Sequence, residues 1–133
     1  MMNQRAIPLW LTAFGAVFFL GLGLWAFFDA SSFYEEVADF PPYNAHFLHD
    51  VGAFHAGLGA VLLLALLFPR DAILVALGGV GFGATLHFVA HVRDHDLGGT
   101  DTDTAVLGVL GVLMLLAAAW RMASGVRETG GFR

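Results

Sequence analysis

Cysteine and lysine are both absent from the chain, and only 13% of its 133 residues are charged. The first absence excludes disulfide scaffolds, thiolate metal sites, CxxC redox centres and cysteine nucleophiles. The second, with a net charge of −5, removes the basic face that nucleic acid requires, so no nucleic-acid partner is expected. Period-two alternation is missing too, which disfavours strands. What the chain has in excess is apolar surface: 58% of residues are hydrophobic, against roughly 45–50% in ordinary soluble domains. Disorder is excluded on the same ground.

The apolar residues gather into four uncharged runs, Pro8–Phe28, Val51–Pro69, Ala72–Val92 and Thr104–Trp120. The hydrocarbon of a bilayer takes roughly 17–25 residues of helix to cross. A water-soluble helix shows a polar stripe every three or four residues, and Val61–Phe68 shows none. The expected fold is therefore all-α: an integral membrane four-helix bundle, one transmembrane domain over 1–133, in contact with the lipid bilayer. Its helices are expected near 8–28, 46–68, 72–94 and 103–121, with a polar, frayed tail over 122–133. The first run is longer than the usual signal-peptide core of roughly 7–15 residues and has no A-x-A site after it, so it is read as a retained first helix.

Arginine sets the direction. With the N-terminus in the cytoplasm, Arg5, Arg70, Arg121, Arg127 and Arg133 fall inside and only Arg93 falls outside, which the positive-inside rule favours. Both termini are then cytoplasmic, in a multi-pass protein of the cell membrane. Phe68-Pro69-Arg70-Asp71 is a tight inner turn, so the second and third crossings form an antiparallel hairpin. In the outer loop Ser32-Phe33-Tyr34-Glu35 reads as a capping box opening a short interfacial helix that Pro41-Pro42 ends. Ser32–Phe40 is placed to act as a lid, and Thr102 or Asp103 to cap the fourth crossing.

All six histidines fall in two clusters. One is His46-Phe47-Leu48-His49-Asp50 followed by His55; the other is His87-x3-His91-x3-His95 beside Asp94 and Asp96. Residues four apart share a helix face, so His87, His91 and His95 form a ladder turning by about 40° per step. Folding the hairpin at Arg70-Asp71 brings His46 level with His95, Asp50 with His91 and His55 with His87, all near the outer surface. Ionisable groups inside membrane segments are rare and usually functional.

Three readings of these residues are open. In the first, His46, His49, Asp50, His87, His91 and His95 bind a transition metal (Fe, Cu or Zn), or His55 and His87 hold haem b between Gly52, Gly57, Gly79 and Gly83. Those glycines equally suit plain helix packing. Asp29 or Asp103 could close the site, and redox chemistry is one use of the bound centre. In the second, the histidines move protons in a small transporter or quinone-site protein. In the third, they are interfacial polar groups of a structural accessory subunit in a larger membrane complex. A homo-oligomer is also compatible with so few helices.

His46-x2-His49-Asp50 and His87-x3-His91 resemble the HxxH and HxxxH histidine boxes of membrane fatty-acid desaturases and hydroxylases. The resemblance covers only those boxes and implies histidine ligation of iron. That family spreads more histidines over a longer chain and on the cytoplasmic side, so its activity is not carried over.

Overall fold

The computed structural model describes residues 6–38, 41–97 and 100–124. It is helical, with no strand among the described residues. Helix α1 spans Ala6–Phe28; α2 spans Ala30–Phe33 and widens into a π-helical turn over Tyr34–Ala38; α3 spans Ala45–Leu67; α4 spans Ala72–Arg93; α5 spans Asp101–Ser124. Four of these, α1, α3, α4 and α5, are long and apolar enough to cross a membrane. The four crossings expected from the uncharged runs are thus present, with ends shifted by at most three residues. The last crossing runs on to Ser124, into the segment expected to fray, and the remainder of that tail lies outside the described residues.

The chain is a multi-pass membrane protein. Its surface carries large apolar side chains in the open, among them Trp10, Phe14 and Val17 on α1 and Val109, Leu113 and Leu116 on α5. A soluble monomer rarely exposes a continuous apolar patch of this kind, whereas lipid tails solvate it without cost. Alanine is the commonest buried apolar residue among those described, beside Phe27, Phe33, Leu48 and Leu74. Leu48 is the one large side chain fully buried among the described residues.

Neighbours in the chain are neighbours in space: α1 packs on α3, α3 on α4, and α4 on α5. Without a hydrophobic driving force inside lipid, close van der Waals approach must hold helices together, and glycine permits it. A Cβ at Gly23 would lie 2.4 Å from the backbone N of Ala56, and one at Gly52 would lie 2.7 Å from the N of Phe27. Between α3 and α4, the Cβ of a residue at 83 would come within 3.0 Å of the Gly57 Cα, and one at 79 within 2.7 Å of the Val61 N. The four glycines considered as a porphyrin slot are thus filled by opposing backbone: Gly52 against α1, and Gly57, Gly79 and Gly83 along the α3–α4 seam.

The helix starts are capped by side chains, though not always the expected ones. Asn44 accepts from Phe47 N at 3.1 Å at the head of α3, and Asp71 accepts from Leu74 N at 3.0 Å at the head of α4. At α2 the cap is Asp29, which accepts from Ser32 N at 3.2 Å, not Ser32 itself. The chain turns directly out of α1, so the cap falls three residues earlier than the Ser32–Glu35 pattern implied; the Ser32 hydroxyl accepts from Trp25 Nε1 instead, at 3.2 Å. At α5 the box is Thr100 with Asp103: the Thr100 hydroxyl accepts from Asp103 N, and the Asp103 carboxylate accepts from Thr100 N. Thr102 and Asp103 are inside the helix rather than at its cap.

The segment expected to cover the histidines lies elsewhere. Ala30 and Phe33 are buried with Ala26 and Leu48, and Tyr34 and Ala38 pack against them. Leu48 is two residues from Asp50, or about 200° around the helix. The short helix therefore covers the opposite side of α3 from Asp50. Residues 39 and 40, the end of that expected lid, are outside the described residues.

At the other end of the bundle, Arg121 of α5 forms an ion pair with Asp71 in the tight α3–α4 turn. The Leu74 amide, aided by the Arg121 guanidinium, holds the Asp71 carboxyl below its usual range. A depressed carboxyl stabilises the fold above its unfolded pKa, and that contribution is lost as the pH falls through the folded value. Acid unfolding should therefore begin at a higher pH in Arg121→Ala, and Asp71→Asn should remove this part of the acid sensitivity; circular dichroism against pH reads both.

Candidate metal centre

The start of α3 and the end of α4 run antiparallel, and four of the histidines meet there with two aspartates. On α3, His46 and Asp50 are one turn apart on one face, with His46 Nε2 3.5 Å from Asp50 Oδ2. On α4, His87 and His91 are likewise one turn apart, with their Nε2 atoms 3.2 Å from each other. The two pairs interlock. His87 Nε2 is 3.2 Å from Asp50 Oδ1, and the His46 and His91 rings stand edge to face with centroids 4.8 Å apart.

His46, Asp50 and His91 each offer a ligand atom, and these three atoms all lie within 4.8 Å of one another. The expected match of Asp50 with His91 is present at that level. His46 also reaches His91, not His95, because the ladder stops short. Helix α4 ends at Arg93 and the chain leaves in a turn, so position 95 no longer falls on the helical face. His95 is exposed, 3.1 Å from Asp101 and 3.5 Å from Asp96. It is not brought to the centre.

Asp101, then Asp96, raise the His95 imidazole above its ordinary pKa through hydrogen bonds and charge. A raised histidine stabilises the turn after α4 fully below its unfolded pKa, and the effect is lost as pH rises through the folded value. Proton NMR should show the His95 midpoint above that of free imidazole side chains, and Asp101→Asn should move it down.

His49 is buried and meets Asp94 rather than the trio's own ligand atoms. Its Nδ1 makes a short hydrogen bond with Asp94, and its ring packs on Phe27 of α1 at 5.8 Å. Asp94 is itself buried and sits 3.5 Å from His46 Nδ1. Sequence spacing placed Asp94 beside the cluster without giving it a part. Its burial goes with α4 ending at Arg93, and the cue was its position between the second and third rungs of the histidine ladder.

His55 is on another face. Its Nδ1 donates to the Val51 carbonyl at 2.8 Å, and its ring lies 5.7 Å from Phe19 of α1. No hydrogen bond, ion pair or ring contact joins His55 to His87 among the described residues. With the glycine seam closed by backbone, the packing gives a haem between these two histidines no support. Asp29 caps α2 and the Asp103 carboxylate is bound by Thr100, so neither closes the site.

Electrostatics make the centre costly as it stands. Asp50 and Asp94 carry two carboxylates into a cluster of four imidazoles, with no arginine among the contacts just described. His46 Nδ1, Asp50 Oδ1 and His91 Nδ1 are buried without a hydrogen-bond partner. Buried polar atoms are ordinarily satisfied, and an exception calls for an explanation such as a bound ion. No known protein family, curated protein or solved structure matches the chain.

Proposed function

We propose that the protein binds a transition-metal ion between α3 and α4 through His46, Asp50 and His91, with His87 beside them as a further donor. One coincidence carries this reading. All three residues whose ligand atoms converge within 4.8 Å also hold a buried nitrogen or oxygen that makes no hydrogen bond. A cation there would take one lone pair from each imidazole and offset the charge of Asp50.

The donor set narrows the ion. Two imidazoles and a carboxylate suit Fe(II), Cu and Zn, and disfavour the hard, all-oxygen ions. Iron or copper in such a set supplies redox chemistry, and zinc supplies a Lewis acid. A proton wire across the membrane is the weaker reading. The polar contacts run from His49 through Asp94, His46 and Asp50 to His87 and His91, and no His, Asp, Glu or Arg follows within 56–69 or 72–86.

Elemental analysis of protein purified without chelator tests the proposal: about one Fe, Cu or Zn per chain is expected. A metal-free protein that takes up none of the three on titration would overturn it.

Arginine placement supports an extracytoplasmic position for the centre. Because the chain has no cysteine, single-cysteine variants read this directly. Asp96→Cys should react with an impermeant maleimide on intact cells, and Arg70→Cys should react only after lysis. The reverse pattern would move the centre to the cytoplasmic side.

A further inference from the structure

The ring of His46 is held between two carboxylates. Its Nε2 faces Asp50 at 3.5 Å, and its Nδ1 faces Asp94 Oδ2 at 3.5 Å with no other partner. Asp94 in turn is fixed from several directions. Its backbone N–H donates to the Ala90 carbonyl at 2.8 Å, its own carbonyl accepts from Leu97 N at 2.7 Å, and its carboxylate is bound by His49. His49 is wedged against Phe27 of α1. Asp94 is thus a rigid acceptor aimed at one nitrogen of a candidate ligand, while the other nitrogen of that ligand points into the site.

We infer that Asp94 is a positioning residue for His46. Resting on the metal reading above, the inference is that Asp94 takes the Nδ1–H of His46 as a hydrogen bond and so leaves the Nε2 lone pair for the ion. A neutral imidazole carries one N–H, and the hydrogen bond made by one nitrogen decides which of the two is free to ligate. A closing movement of a few tenths of an ångström brings the 3.5 Å contact to ordinary hydrogen-bond length. His49 has a matching part: it anchors the carboxylate and is not itself a ligand. Outer carboxylates of this type typically change metal affinity about 10–100-fold.

The experiment uses the full chain in detergent micelles, with Co2+ as a spectroscopic probe and nitrogen-15 NMR of the histidines. In wild type without metal, His46 should be the Nδ1–H tautomer, and Co2+ should bind one per chain. In Asp94→Ala the tautomer should become mixed, Co2+ affinity should fall about 10–100-fold, and the stoichiometry should stay at one. Asp94→Asn keeps an acceptor oxygen and should restore the tautomer and part of the affinity; it also serves if the alanine variant does not fold. Wild type that binds no Co2+ would overturn the metal reading and the inference with it. Wild type that binds while both Asp94 variants bind equally well, with the His46 tautomer unmoved, would overturn the inference alone. Loss of the whole stoichiometry in a folded Asp94→Asn would make Asp94 a ligand, which also overturns it.

Discussion

His91→Ala should abolish stoichiometric metal binding while leaving the metal-free helices assembled. His91 is the α4 member of the trio, and its ring touches both His46 and His87. Removing it leaves His46 and Asp50 on a single helix face, one turn apart, with His87 as the remaining α4 histidine beside them. The affinity loss should exceed the roughly 100-fold that marks the upper end for outer residues. Metal at 100 times its Kd stabilises the native state by about 2.7 kcal/mol, so added ion should raise the Tm of wild type and not that of His91→Ala. Asp50→Asn sharpens the contrast. It removes the charge of a carboxylate whose Oδ1 is buried without a hydrogen bond, although His87 Nε2 lies 3.2 Å away, so the metal-free protein should be about as stable as wild type or more so while metal binding is lost. A purely structural histidine cluster predicts the opposite: metal has no effect on Tm, and each variant is destabilised through the contacts it loses.

The fold was legible because four uncharged runs leave few alternatives in lipid, where every backbone group must be satisfied within the helix. The site was legible only in part. His46, Asp50, His87 and His91 converge because helical periodicity and the short Pro69-Arg70 turn fix the faces and the depth together. His95 fails because periodicity holds only while the helix lasts, and α4 stops two residues before it. Asp94 escapes the spacing for the same reason. Its burial is a property of the turn that follows α4, and local spacing carries no record of how that turn folds back. The caps slipped likewise: Asp29 and Thr100 are chosen by where the chain bends, while Ser32 and Thr102 match the pattern equally well in letters. His49 and His55 show the limit of counting donors. Both lie on the right stretch of α3, but one faces Asp94 and the other faces α1.

Gly23→Ala should be among the most destabilising single changes, and Gly21→Ala among the most harmless. The two positions are neighbours on one helix with the same intrinsic cost for glycine. At Gly21 an added Cβ meets nothing within 4 Å, whereas at Gly23 it meets Ala56 N at 2.4 Å and Gly52 O at 2.8 Å. Those are backbone atoms, which no rotamer change can move aside, so α1 and α3 must separate. Overpacking a close interior costs about 1–3 kcal/mol and sometimes more, while alanine for glycine on an open helix face gains up to about 1 kcal/mol. Thermal unfolding in micelles should order the proteins Gly21→Ala, wild type, Gly23→Ala from most to least stable. Gly79→Ala extends the argument to the metal centre. A Cβ there would meet the Val61 backbone N at 2.7 Å, forcing apart α3 and α4, the two helices that supply the ligands. Gly23→Ala and Gly79→Ala should lose stability to a similar degree, but Gly79→Ala should lose more Co2+ affinity because only it acts on the seam that brings His91 to Asp50. Equal affinities in the two variants would mean that the ligands do not depend on the α3–α4 spacing, and that the centre is not built across that seam.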